Sequence, residues 1–267
     1  MSAPLYDAHN HLAAPSLAAH RHAINESLNA IGLKSAVVNG TSPEDWPTVL
    51  QLAREDSHIL PAIGLHPWKV NAAPLNWREQ FLKALDRGAK VIGEIGLDQW
   101  IEDHDIERQQ EAFRWQLAQA TKRNLPVSIH CLRAMGPLLE TLRAIPLPAR
   151  GFHLHAYNGS PESITELVQL GAYFSFNGGQ LKPEAKTVRA AIRTVPLNRL
   201  LIETDAPDML PPPELREFVL PTPDVGRALN HPANLRSAYQ SIAEIREINF
   251  ATLVEQIEAN FVEYFGD

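Results

Sequence analysis

The stretch "LYDAHNHLAAPS", Leu5–Ser16, decides between the two large α/β architectures. Its first half reads as a strand, with Asp7, His9 and His11 at every second position. A doubly wound open sheet would follow that strand with a glycine-rich phosphate turn, and "HNHLAAPS" contains no glycine. Working outward, short apolar or β-branched runs recur: "KSAVVNG" (34–40), "ILPAIGLHP" (59–67), "VIGEIGLD" (91–98), "LPVSIHC" (125–131), "RGFHLHAY" (150–157), "AYFSFNGG" (172–179) and "LLIETDAP" (200–207). With the first run these make eight. Between them lie helical patterns such as "IERQQEAFRWQLAQATKRN" (106–124), in which Phe113, Leu117 and Ala120 share a face. Another is "SPESITELVQLG" (160–171), with Ser160 or Ser163 as N-cap and Gly171 as terminator. Eight strands alternating with helices predict a (β/α)8 TIM barrel of the α/β class.

The whole chain, 1–267, reads as a single domain, since no repeat, low-complexity tract or long linker divides it. One composition shift stands out: residues 205–224 carry six of the 21 prolines. Each proline removes a donor and fixes φ, so this segment is expected to be a stiff loop after strand eight. C-terminal helices are expected at 233–247 and 250–264.

Composition narrows the function classes. The net charge of -7, from 24 basic and 31 acidic residues, argues against a protein whose whole surface wraps a duplex. Cys131 is the only cysteine, which rules out an internal disulfide or a cysteine-built zinc cluster and fits a reducing compartment. No apolar run reaches the roughly 18 residues of a membrane span, and the first residues lack the pattern of a signal peptide. A cytoplasmic protein with no membrane association and no obligate protein partner is the expectation. Any metal must be held by histidines and carboxylates.

Placing ionisable residues on the strands sharpens this. Alternation turns Asp7, His9 and His11 inward, rising toward the C-terminal mouth where barrel active sites lie. Glu94, His130, His155 and Asp205 come from four other strands to the same rim. One such histidine alone would mean little, because buried or surface histidines with ordinary partners are common. His20, His22, His58 and His104 belong to that ordinary class, and His153, one layer below His155, reads as a buried histidine with a partner. Jointly, four histidines and two carboxylates at one mouth would leave charges unpaired without a cation, and two divalent ions would neutralise them.

These residues carry a resemblance. "DAHNH", "GLHPW" (64–68), "GEIGLD", "LPVSIH", "HAYNGS" (155–160), "ETDAP" (203–207) and "ANFVEYFG" (259–266) look like the successive signatures of the TatD family of metal-dependent hydrolases, in order and over nearly the whole chain. The resemblance implies a barrel of the amidohydrolase type with two divalent ions, and members are described as magnesium- or zinc-dependent deoxyribonucleases. By motif position, His9 and His11 hold one ion, Glu94 bridges, His130 and His155 hold the second, and Asp205 completes the first. Asp205 and Glu94 are then the catalytic carboxylates, Asp205 as the base that orients a water and takes its proton. An imidazole-rich donor set favours zinc as isolated, with magnesium or manganese as alternatives.

Around that core, His66 in "GLHPW" is a candidate contact to a substrate phosphate or a residue fixing the loop before Pro67. Asp7 is read as orienting a ligand histidine, and Glu203 as lying beneath Asp205. Four motifs depart from the family pattern. Leu132 stands where relatives tend to have arginine, with Arg133 one place later. Leu229 and His231 replace an arginine and a glutamate. "HAYNGS" replaces "HCFSG", and Asp208 follows "ETDAP". Arg133 and His231 are candidate substrate contacts, Arg133 on condition that strand five ends by Cys131, and His231 as a donor titrating near neutrality. The expected substrate is a phosphodiester, in particular single-stranded DNA or short oligonucleotide ends. The alternatives are two-metal hydrolysis of a small phosphoester, lactone or cyclic amide, and a non-catalytic metal-binding barrel.

Overall fold

A computed structural model describes residues 4–221 and 227–266. Eight strands form one sheet whose spatial order is the chain order: β1 (Leu5–Asn10), β2 (Leu33–Asn39), β3 (Ile59–Ile63), β4 (Val91–Asp98), β5 (Val127–Leu132), β6 (Phe152–Leu154), β7 (Ala172–Asn177) and β8 (Leu200–Glu203). The ladders between β3 and β4, β4 and β5, β5 and β6, and β7 and β8 are all parallel. Parallel neighbours joined by crossover helices, with β1 packed on β8, make a (β/α)8 TIM barrel. All eight runs expected from the sequence are strands. The helices are α1 (Arg21–Ile31), α2 (Trp46–Glu55), α3 (Trp77–Asp86), α4 (Ile106–Arg123), α5 (Met135–Ala144), α6 (Ile164–Gln169), α7 (Lys186–Thr194), α8 (Leu235–Arg246) and α9 (Phe250–Phe265).

By contact the described residues fall into two compact units, one from 4–36, 156–164, 174–221 and 227–266, the other from Val37–His155 and Thr165–Tyr173. In the first, the C-terminal helices clamp the strands. Tyr239 of α8 donates its hydroxyl to the Tyr6 carbonyl at 2.9 Å and accepts from the Tyr6 amide at 3.1 Å, while Asn260 of α9 donates to the carbonyls of Leu197 and Leu200 at 2.8 and 2.7 Å. Polar groups buried this way are satisfied rather than costly. The proline-rich segment has no α-helix in its described part, only a short 3-10 turn at Pro213–Leu215 and an antiparallel bridge from Val219 to Asn230. Its last three residues, 222–224, lie outside the described residues.

In the second unit α4 holds two strand ends by side-chain amides. Gln116 accepts from the Leu65 amide at 2.7 Å and donates to its carbonyl at 3.2 Å, and Gln109 does the same for Asp98 at 2.8 and 2.9 Å. The helix ends at Arg123, with Asn124 in the left-handed region. One glycine is required by close approach. Gly96 has φ +145°, and a Cβ there would stand 2.0 Å from the His130 carbonyl oxygen, so only glycine lets β4 and β5 pair beside His130.

Candidate metal centre

The first unit brings His9, His11 and Asp205 together. His9 lies inside β1, wholly buried, and His11 one residue past its end. Asp205 lies two residues past β8 at φ +52°, so simple alternation does not aim it. Backbone bonds place it instead: the Asp205 amide donates to the His9 carbonyl at 2.9 Å, and the His11 amide donates to the Ala206 carbonyl at 2.7 Å. The result is His9 Nε2 3.3 Å from His11 Nε2, with Asp205 Oδ1 3.5 Å from His11 Nε2 and 3.8 Å from His9 Nε2.

Asp7 stands behind this group without joining it. Its carboxylate accepts from the amides of His9 (3.2 Å) and Thr204 (3.0 Å), the Asn10 side chain (3.1 Å) and the Thr204 hydroxyl (2.6 Å). It thus fixes the backbone of His9 and the chain entering Asp205. Burial pushes its pKa up to about 7, against the lowering by those four hydrogen bonds. Glu203 is also a framework group, accepting from the Ala156 amide at 2.9 Å, from Asn177 Nδ2 at 3.2 Å and from the Ser175 hydroxyl.

The second unit gathers Glu94, His130 and His155, and adds His66. Glu94 Oε1 is 2.8 Å from His130 Nδ1, 2.8 Å from His155 Nε2 and 3.2 Å from His66 Nε2. His130 Nδ1 and His155 Nε2 are 3.3 Å apart. β6 ends at Leu154, so His155 sits just beyond its strand; its amide still bonds to the Ile129 carbonyl of β5 at 3.1 Å. His153 is buried with Nδ1 3.4 Å from Ser128 Oγ, and burial, reinforced by His155, drives its pKa well below the usual value.

Sequence reasoning missed Asp98. Its Oδ2 is 2.7 Å from His130 Nε2 and accepts from Trp68 Nε1 at 2.7 Å, while Oδ1 accepts from the Trp100 amide at 2.6 Å. Burial opposes the charge on Asp98, but the bonds from His130, Trp100 and Trp68 hold its pKa below the ordinary carboxylate value. A proton fixed on His130 Nε2 by Asp98 leaves the Nδ1 lone pair facing Glu94 and His155, the arrangement by which a carboxylate orients a metal-binding imidazole. His130's own pKa is raised: burial lowers it, and the bonds to Asp98 and Glu94 outweigh that.

Donor chemistry of both groups fits divalent ions. A tetrahedral ion roughly 2.0–2.1 Å from two imidazole nitrogens would hold those nitrogens roughly 3.3 Å apart, and both histidine pairs have that spacing. The ligand atoms of His9, His11 and Asp205 lie within 4.8 Å of one another, as do those of His66, Glu94 and His130.

The predicted substrate contacts fare differently. His66 caps the 3-10 turn Pro67–Ala72, its Nδ1 accepting from the Trp68 amide at 3.1 Å, so in the neutral ring the proton is on Nε2, toward Glu94. It therefore fixes the loop and presents a donor. β5 runs through Leu132, so the condition placed on Arg133 is not met; Arg133 is exposed, just past the strand at φ +54°, where alternation no longer applies. His231 is buried, its Nδ1 accepting from the Ala233 amide at 3.0 Å. Burial, with a smaller contribution from His20, lowers its pKa to about 4, which corrects the expectation of titration near neutrality. His231 is a neutral Nε2–H donor across the physiological range.

Residues 6–266 match the family model described as TatD related DNase. The chain belongs to the TatD family. An uncharacterized metal-dependent hydrolase, YjjV of Escherichia coli K12, is 35% identical over 206 residues, covering 76% of this chain and 79% of the relative. The 3'-5' ssDNA/RNA exonuclease TatD of Enterobacter lignolyticus is 29% identical, with 98% and 99% covered. Among solved structures, the E. coli YjjV TatD homolog superposes with a TM-score of 0.88 at 28% identity, covering 98% of each chain. This TatD protein is accordingly a metal-dependent hydrolase of TIM-barrel fold, with histidine and carboxylate clusters able to hold metal. Among the described residues, no helix is long and apolar enough to cross a membrane.

Proposed function

We propose that this TatD protein hydrolyses phosphodiester bonds at the ends of short or single-stranded nucleic acid, with one divalent ion on His9, His11 and Asp205 and another on Glu94, His130 and His155. The observation that carries the reading is the pairing of imidazole nitrogens 3.3 Å apart beside a carboxylate in both groups. The relative named as a single-strand exonuclease supports the substrate class. Imidazole-rich ligation favours zinc, or manganese, over magnesium, which prefers oxygen donors.

Bound ions supply Lewis acidity toward phosphoryl oxygens and make a water acidic enough to react near neutral pH. The chain's own groups do the rest. Asp205 takes the proton from the attacking water. Asp98 keeps His130 in one tautomer, and Asp7 holds the backbone of His9. The Nε2–H group of His231, kept neutral by burial, is the proposed contact to a substrate oxygen, while His66 holds the loop before Pro67 with its Nε2 facing Glu94. On a protein of net charge -7 the anionic substrate is attracted locally, by the ions, rather than by the surface at large.

Leu132 and Leu229 favour a second reading, a smaller phosphoester, because each stands where a guanidinium would fork two phosphate oxygens. Such charge-assisted contacts are worth about 1.5–3 kcal/mol. The test is steady-state hydrolysis of a single-stranded oligonucleotide, a phosphomonoester and an amide by wild type and a Leu132→Arg, Leu229→Arg double variant. The expected result is metal-dependent cleavage of the oligonucleotide, abolished by chelator, with KM lowered about tenfold or more in the double variant and a steeper salt dependence. Cleavage of only the monoester or the amide would overturn the proposal.

A further inference from the structure

Among the described residues, four large hydrophobic side chains are exposed, and two of them are neighbouring indoles: Trp68 at 46% and Trp100 at 53%. Their ring centroids are 6.0 Å apart and their planes tilted by 30°, so two half-exposed rings lie side by side at the surface. Two half-exposed indoles side by side form a contiguous apolar patch, the kind of surface feature that marks an interaction site.

Asp98 ties this pair to the second metal group. One carboxylate accepts the Trp68 indole N–H, the Trp100 backbone amide and the ring of His130. Trp68 also packs edge-on against His66 with centroids 5.1 Å apart, and its ring is 6.4 Å from that of His130. With its one polar atom spent on Asp98, Trp68 offers only a flat apolar face at a fixed place beside the proposed ligands. Planar apolar faces recognise planar π systems, and every nucleobase has one.

We infer that Trp68 and Trp100 form a stacking platform for an unpaired base of the strand being cut, setting which phosphodiester sits beside His130. This inference rests on the phosphodiester reading above. It explains how an acidic protein with leucine rather than arginine at positions 132 and 229 grips single strands: stacking replaces ionic contacts. It also confines the substrate to unpaired ends, since a base inside a duplex has both faces covered.

Trp100 is the position to change, because its link to Asp98 is through the backbone and survives truncation. Wild type, Trp100→Ala and Trp100→Phe are compared on a single-stranded oligonucleotide and on the same strand with abasic residues at its cleaved end. Trp100→Ala is expected to raise KM for the base-bearing strand about tenfold, the scale of losing one stacked base, with kcat within about twofold. Trp100→Phe restores most of that loss. The abasic strand shows the high KM already with wild type and is indifferent to the substitution. Equal KM for all three proteins on the base-bearing strand, or an abasic strand bound as well as the normal one, overturns the platform and leaves phosphodiester hydrolysis standing. If no phosphodiester is cleaved, the functional reading fails by itself, and the platform is decided by tryptophan fluorescence with an uncleavable methylphosphonate-linked thymidine dimer. Binding about tenfold weaker in Trp100→Ala supports it, and equal or absent binding in wild type and variant overturns it.

Discussion

Replacing Asp205 by asparagine lowers turnover by roughly 10²–10⁴-fold at saturating metal, the scale on which a positioned general base contributes. Asparagine is nearly isosteric and, like aspartate, tolerates the left-handed backbone at φ +52°, so the fold around position 205 is preserved. The backbone bond from residue 205 to the His9 carbonyl involves no side chain and stays. Only the carboxylate is lost: the amide oxygen still points toward His9 and His11 as a weak ligand, but it cannot accept a proton from water. Turnover measured with titrated metal, beside the metal content of the same sample, separates the roles. A metal-loaded Asp205→Asn protein turning over at near the wild-type rate would show that another group is the base.

Asp98→Asn weakens metal binding or activity by about 10–100-fold, as substitutions of groups that orient metal ligands do. Three donors converge on the Asp98 carboxylate: His130 Nε2, Trp68 Nε1 and the Trp100 amide. Asparagine has a single acceptor oxygen, so its NH₂ group must face at least one of those donors, and His130 loses the charge that fixes its tautomer. The measurement is metal affinity by chelator competition, with the ¹⁵N shifts of His130 reporting which ring nitrogen carries the proton. Wild-type affinity with an unchanged tautomer would remove Asp98 from the account.

What was readable from sequence follows from which interactions are local. Period-two alternation and turn spacing are local, so all eight strands were legible, as was the long helix that ends at Arg123 and is capped by Asn124. The metal-capable residues were legible because each lies in or just after a strand run, and strand ends meet in a barrel. Asp98 was legible in principle: Glu94, Gly96 and Asp98 alternate along β4, and a reading of "GEIGLD" to its end would have put Asp98 on the face of Glu94. The aim of Asp205 was not, because its positive φ breaks alternation and a bond to His9, distant in sequence, sets its place. His231 misled for a similar reason. Its pKa is lowered chiefly by burial, and what buries it includes Phe218, 5.3 Å away ring to ring, which no local pattern encodes. The exposure of Trp68 and Trp100 depends likewise on a 3-10 turn and the anchoring of Asp98 by Gln109.

Central to this account is that His9, His11 and Asp205, and Glu94, His130 and His155, are metal ligands. Elemental analysis of protein purified without chelator tests it most directly, comparing wild type with His9→Ala, His11→Ala and with His130→Ala, His155→Ala. About two divalent ions per chain are expected in the wild type, zinc foremost, and about one in either double variant. A folded wild-type protein that holds no stoichiometric metal after dialysis against zinc and manganese, or double variants that bind as much as wild type, would contradict it.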